Sequence, residues 1–163
     1  MVVTVSTNAS SGDVATISEE SASVSELTPR SRESLERLAR DGNIVIVRVD
    51  DELAGWGVRE PLGRGVFELG MTYVRPTFRA TDAFRRLAAE MVSATDEYLV
   101  ATYKPELVDF LVREHGFRRS GLVEFVWRSR GSFITKRLDR ASCTAVRDHA
   151  STGRALYVIR DAR

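Results

Sequence analysis

A chain of 163 residues with 43% hydrophobic and 29% charged side chains is long enough for one sizeable core, and its net charge of +1 argues against a dedicated nucleic-acid binder. No apolar run is long enough to span a bilayer, and with Cys143 as the only cysteine no intrachain disulfide is possible. The opening MVVTVSTNASS has neither a basic n-region nor a long apolar core, so a reducing cytoplasm is the expected location and the sequon Asn8-Ala9-Ser10 reads as a chance match.

Residues 1–26 are rich in Ser, Thr and Ala, with β-type runs only at 2–5 and 14–17. They are expected to give one edge strand and otherwise a disordered segment, with residues 27–163 forming a single domain. Thr28 is read as the cap of a helix, with Pro29 in its first turn, Leu35, Leu38 and Ala39 on one face and Gly42 as its stop.

NIVIVRV (43–49), a turn at Asp50-Asp51 and LAGWGV (53–58) predict a hairpin, and after the breakers Pro61, Gly63 and Gly65 a third strand runs from Val66 to Val74. Phe84, Leu87, Ala88, Met91 and Val92 then follow helical spacing. YLVAT (98–102) reads as a strand, and Pro105 opens another helix that ends at Gly116, with Phe117 packing back. LVEFVW (122–127) and ALYVI (155–159) are expected to pair as a long hairpin, with a helix over 138–149 between them.

The strand-helix-strand unit from Val66 to Thr102 needs a parallel crossover, so the fold class is α/β (α+β). The expected architecture is a mixed, mainly antiparallel sheet of six to seven strands with helices on both faces.

Charge is uneven along the chain: residues 1–29 carry four acidic and no basic side chains, and residues 128–163 carry nine basic and three acidic ones. The expected reading is a solvated basic face, and Arg128, Arg130, Lys136, Arg137 and Arg140 would have to share one surface to bind nucleic acid, which is not an expected partner. His115 and His149 have no partner at metal-ligand spacing, so no metal is expected.

Four local patterns carry a family resemblance: Asp50-Asp51-Glu52-Leu53-Ala54-Gly55, Tyr73-Val74-Arg75-Pro76-Thr77-Phe78-Arg79, Phe84-Arg85-Arg86-Leu87 and Arg113-Glu114-His115-Gly116-Phe117. Together with the element order they resemble the GNAT (Gcn5-related N-acetyltransferase) superfamily from Thr28 to Trp127. The resemblance implies an N-acyltransferase whose cosubstrate is acetyl-CoA or another acyl thioester, acting on an unidentified amine as a monomer or homodimer. It assigns the pantetheine arm to the main chain of Thr72, Tyr73 and Val74. It assigns the pyrophosphate to the loop and helix start formed by Arg79, Ala80, Thr81, Asp82, Ala83 and Phe84, where a helix N-terminus favours an anion.

This sequence departs from the family pattern in two places. Asp82 and Phe84 stand where the loop normally has Gly and a small residue, and a carboxylate about 4 Å from a pyrophosphate costs on the order of 4 kcal/mol at an effective dielectric of about 20. The simpler reading is that Thr81 or Asp82 is an ordinary N-cap, where an acidic residue in the first turn favours the helix. The family's tyrosine acid corresponds to Val112, which has no proton to give, and its common Asn and Ala earlier in that helix correspond to Pro105 and Val108. Glu68 is the candidate base, on one strand face with Gly70, Thr72 and Val74, or else a salt-bridged strand carboxylate; Tyr103 is the candidate acid, or else a structural hydroxyl. Two further readings stay open: an acyltransferase taking its acyl group from a carrier-protein thioester, and a catalytically inactive binding module on the same fold.

Overall fold

The computed structural model describes residues 1–25, 27, 29–92, 95–131 and 155–162. Seven strands hydrogen-bond in the order β1-β2-β3-β4-β5-β7-β6. These are β1 (Val3–Ser6), β2 (Ile44–Val49), β3 (Glu52–Gly63), β4 (Val66–Val74), β5 (Glu97–Thr102), β6 (Arg118–Ser120) and β7 (Leu156–Arg160). Among the described residues five helices accompany them: α1 (Ser11–Ser23), α2 (Arg32–Arg40), α3 (Ala83–Glu90), α4 (Pro105–His115) and α5 (Leu122–Arg128). The sheet is mixed and mostly antiparallel, as the sequence predicts. The chain divides into two compact units, Met1–Glu60 with Leu69–Val92, and Pro61–Glu68 with Ser93–Arg163.

In the first unit β2 is buried on both faces, which is why NIVIVRV is continuously apolar up to Arg48. Ile44 and Ile46 join Trp56, Val58 and Met71 in a cluster with Val14 and Ile17 of α1 and Leu35 and Leu38 of α2. Val45 pairs with Gly57, and Met91 at the end of α3 packs over that glycine, so α3 takes the opposite face. Asp50 and Asp51 have φ of 47° and 68°, the left-handed pair that a two-residue hairpin turn requires.

Of the two β-type runs, 2–5 gives the edge strand β1, whereas Val14–Ile17 is helical, because Ser10 and Asp13 form a capping box and Val14, Ile17 and Ser21 then fall on one buried helix face. The cap of α2 is Ser31, whose hydroxyl accepts from the Ser34 N–H; Pro29 precedes the helix, and Thr28 lies outside the described residues. Two ion pairs tie α1 down: Asp13 Oδ1 to Arg48 Nη2 at 2.6 Å, and Glu20 to Arg75. Burial pushes the Asp13 carboxyl up, but the Ser10 hydrogen bonds and Arg48 together outweigh it and hold the group below the ordinary carboxylate value.

In the second unit, Val66 to Glu68 pair in parallel with Glu97 to Leu99, which places the predicted crossover. Val66, Leu99, Ile159 and Phe125 form its cluster on one face. Gly116 is left-handed at φ 69°, and Phe117 folds back with its N–H on the Leu111 carbonyl, as the sequence predicts.

The expected strand at 122–127 is instead helix α5. Gly121 caps it, Glu124 lies in its first turn, and of its seven residues Phe125 alone is fully buried, whereas Val123 and Trp127 are 84% and 75% exposed. A strand in this place would bury alternate residues. The expected long hairpin is therefore absent: β7 pairs antiparallel with β5 and with the short β6. The helix expected over 138–149 lies outside the described residues, as do Lys136, Arg137 and Arg140. Arg128 is committed to Glu97 at 3.2 Å and Asp161 at 3.0 Å. No described helix is long and apolar enough to cross a membrane, and among the described residues no group of His, Cys, Asp or Glu could hold a metal ion.

Candidate active site

The second half of β4 is shaped by Met71, whose φ of 49° puts a left-handed residue in the middle of a strand. A left-handed residue at this point kinks the strand and resets its alternation. Leu69 and Met71 are buried, Thr72 and Tyr73 are both half-buried, and Val74 is buried again. The single face proposed for Glu68, Gly70, Thr72 and Val74 therefore does not extend past Met71. Methionine carries no sequence signal for a positive φ, and only the neighbouring Gly70 hints at an irregular strand.

Main-chain directions along this stretch follow from two contacts. The Arg75 N–H donates to the Ala54 carbonyl at 2.9 Å, and a Cβ on Gly55 would lie 2.4 Å from the Tyr73 oxygen, so residues 73 and 75 address β3. In a strand the main-chain groups alternate sides, so those of Thr72 and Val74 address the opposite edge. The Thr72 hydroxyl contacts Met91 Sδ at 3.9 Å, and the Val74 carbonyl has Arg79 Nε at 3.5 Å.

Arg75 anchors the strand end. Its guanidinium donates to the Leu53 carbonyl at 2.6 Å and pairs with Glu20 and, at 3.6 Å, Glu52; the Glu20 hydrogen bonds raise its pKa despite partial burial. The Glu20 partner has no signal in local sequence, because it depends on where α1 packs against the end of β4.

The loop after the strand is a 3₁₀ turn at Pro76–Phe78 leading into α3. The Arg79 N–H donates to the Pro76 carbonyl at 3.3 Å, the Thr81 N–H to Phe78 at 3.0 Å, and the Ala83 N–H to the Thr81 hydroxyl at 3.2 Å. Asp82 occupies the N-cap with no side-chain cap bond, and its carboxylate meets Arg86 Nε at 3.3 Å one turn along. Ala80 is exposed, Ala83 is buried and Phe84 is half-buried. The first unit therefore brings Thr72, Tyr73, Val74 and the six loop residues into one continuous strand-loop-helix segment.

Glu68 and Tyr103 belong to the second unit. Glu68, half-buried, pairs with Leu99 and by alternation shares a face with Val66. Tyr103, also half-buried, follows β5 at the turn where the Lys104 N–H bonds the Thr102 hydroxyl at 3.2 Å. The strands are parallel, so Tyr103 lies four residues, or about 13 Å, beyond the level of Glu68 along the strand direction. The two are not adjacent. Val112 is 38% exposed and carries no polar group.

No family model matches the chain, and no curated protein matches it by sequence. Solved structures do match. N-acetylglutamate synthase from Neisseria gonorrhoeae, complexed with coenzyme A and N-acetyl-glutamate, is similar at 19% identity and TM-score 0.66, over 100% of this chain and 36% of that one. The chain thus spans about a third of that synthase's length. A GNAT-family acetyltransferase from Bacillus cereus aligns over 100% of this chain and 99% of its own at 19% identity and TM-score 0.64. A ribosomal-protein-alanine N-acetyltransferase from Brucella melitensis aligns over 98% and 99% at 15% identity and TM-score 0.61. The seven-stranded mixed sheet and these likenesses together give the chain the GNAT fold.

Proposed function

We propose that the protein is an N-acyltransferase that moves an acyl group, with acetyl as the first choice, from a thioester to an amine. The observation that carries the reading is the kinked β4, whose Thr72 and Val74 main-chain groups address the edge away from β3. Amide groups of a pantetheine arm can pair with such an edge as an added strand would. Similarity to acetyltransferases, one of them complexed with coenzyme A, supports the same choice.

In this reading the amine nitrogen attacks the thioester carbonyl carbon, a C–N bond forms and the C–S bond breaks. Glu68 takes the proton from the ammonium, through a water where the amine is out of reach, and Tyr103 supplies a proton to the departing thiolate. The attacking nitrogen and the departing sulfur are bonded to one carbon, so the roughly 13 Å between the strand levels of Glu68 and Tyr103 has to be bridged by their side chains and by water.

An inactive binding module is the second reading, favoured by the exposed Val112 where the family carries its acid and by the paired Asp82 in the loop. Both are tested by following free-thiol release from acetyl-CoA and from S-acetylpantetheine with a panel of amino acids, polyamines and peptides. Saturable, amine-dependent release supports the enzyme. No release above the buffer rate with any pair leaves the binding module.

A further inference from the structure

We infer that the donor is recognised as a pantetheine thioester, without a grip by residues 79–84 on a nucleotide diphosphate; this rests on the acyl-transfer reading above and specifies its donor. A loop that cradles a diphosphate presents main-chain N–H groups outward, usually by way of left-handed residues. Here three of the six N–H groups of residues 79–84, those of Arg79, Thr81 and Ala83, are spent inside the loop, on Pro76, Phe78 and the Thr81 hydroxyl. No residue from Arg75 to Phe84 is left-handed.

The charges point the same way. The Asp82 carboxylate sits at the N-terminus of α3 with 54% of its side chain exposed, where an incoming diphosphate would meet it. Of the arginines that could offset it, Arg86 is already held by that carboxylate and by the Val3 carbonyl at 3.3 Å, while Arg85 is exposed in the first turn of the helix. Arg79 turns back to within 3.5 Å of the Val74 carbonyl. At the strand edge of Thr72 and Val74, the Arg79 contact to the Val74 carbonyl is at the limit of hydrogen-bond length, and a ligand amide can replace it. Recognition therefore stops at the pantetheine. The transfer itself is unchanged: one C–N bond forms, one C–S bond breaks, and the pantetheine thiol leaves with a proton.

Two measurements on the full chain test this. Calorimetry with 3′-phospho-ADP, the nucleotide half of CoA, should show no saturable heat at millimolar ligand; binding tighter than about 0.1 mM overturns the inference. This readout decides the loop claim even if no thioester turns over, in which case the acyl-transfer reading fails separately. In the thiol-release assay, kcat/KM for S-acetylpantetheine should fall within about threefold of that for acetyl-CoA, whereas a preference of about tenfold or more for acetyl-CoA contradicts the inference. Replacing Asp82 by Gly should raise the ratio of acetyl-CoA to S-acetylpantetheine efficiency at least about tenfold by removing the repelling charge; an unchanged ratio counts against the charge argument. An acetylated holo carrier protein in a parallel arm identifies the source: a rate well above that of free S-acetylpantetheine assigns a protein-borne arm, an equal rate a free one, and both support the shared chemistry.

Discussion

Replacing Gly55 by alanine should damage the protein more than the same change at Gly57, although both glycines lie on β3 two residues apart and both are buried. A Cβ on Gly55 would stand 2.4 Å from the Tyr73 carbonyl oxygen and 3.0 Å from Val74 Cα, so it meets main chain. Restoring a normal contact of about 3.5 Å requires β4 to retreat by roughly 1 Å. The Arg75 N–H to Ala54 bond, 2.9 Å in the native chain, would then stretch beyond useful length. Overpacking of about 1–3 kcal/mol and a lost hydrogen bond of about 1 kcal/mol sum to roughly 2–4 kcal/mol. At Gly57 the new Cβ would instead meet Met91 Sδ at 2.2 Å and Cε at 2.6 Å, the end of a flexible side chain. The thioether can rotate away inside its buried site, at about 1–2 kcal/mol. Urea unfolding of the wild type and both variants measures the difference, with m-values checked for equality. If Gly55→Ala costs no more than Gly57→Ala, the close approach of β3 to the end of β4 is wrong, and with it the assignment of the Thr72 and Val74 main chain to the edge away from β3.

Asp13→Ala removes both the capping box of α1 and the ion pair to Arg48, and should cost about 2–4 kcal/mol in urea unfolding at pH 7. The Asp13 carboxyl is held below its ordinary value and that of Glu124 is lowered to about 2, chiefly by hydrogen bonds from Arg118 and Ser120. Depressed carboxylates stabilise above their unfolded pKa and lose that contribution as pH falls through the folded one, so the urea midpoint should drop between about pH 4.5 and 2, and Glu124→Gln should flatten the drop. Phe125→Ala should cost about 3–5 kcal/mol, while Val123→Asp on the exposed face of the same helix should stay within about 0.5 kcal/mol. Comparable losses at the two positions in thermal melts would contradict the helical assignment of residues 122–128.

Most of the fold was legible where local chemistry and tertiary packing agree. The Asp50-Asp51 turn, β4, the Gly116 stop and the helical face of Leu87, Ala88 and Met91 are set by turn residues and periodicity that neighbours only reinforce. Two segments misled because β-branched residues weigh toward strands, whereas capping decides. Val14-Ala15-Thr16-Ile17 looks like a strand until Ser10 and Asp13 are read as a capping box. LVEFVW is apolar at five of its six positions, and it becomes a helix exposing Val123 and Trp127, a cost no local pattern announces. In the site, the substituted loop positions were visible as residue types. Their consequence was not, because the inward N–H groups and the Asp82–Arg86 pair depend on the path of the chain. The left-handed Met71 is a tertiary feature that methionine does not encode.

The most direct test of the acyltransferase account is the amine-dependent rate of thiol release from S-acetylpantetheine by the wild type and by Glu68→Gln, measured side by side on samples with matching thermal melts. The wild type should show saturable release and the variant a fall of about 10²–10⁴-fold in kcat, with the remaining activity rising as pH approaches the pKa of the amine. Equal rates for the two proteins would remove Glu68 from the chemistry, and no release by either would remove the chemistry from the protein.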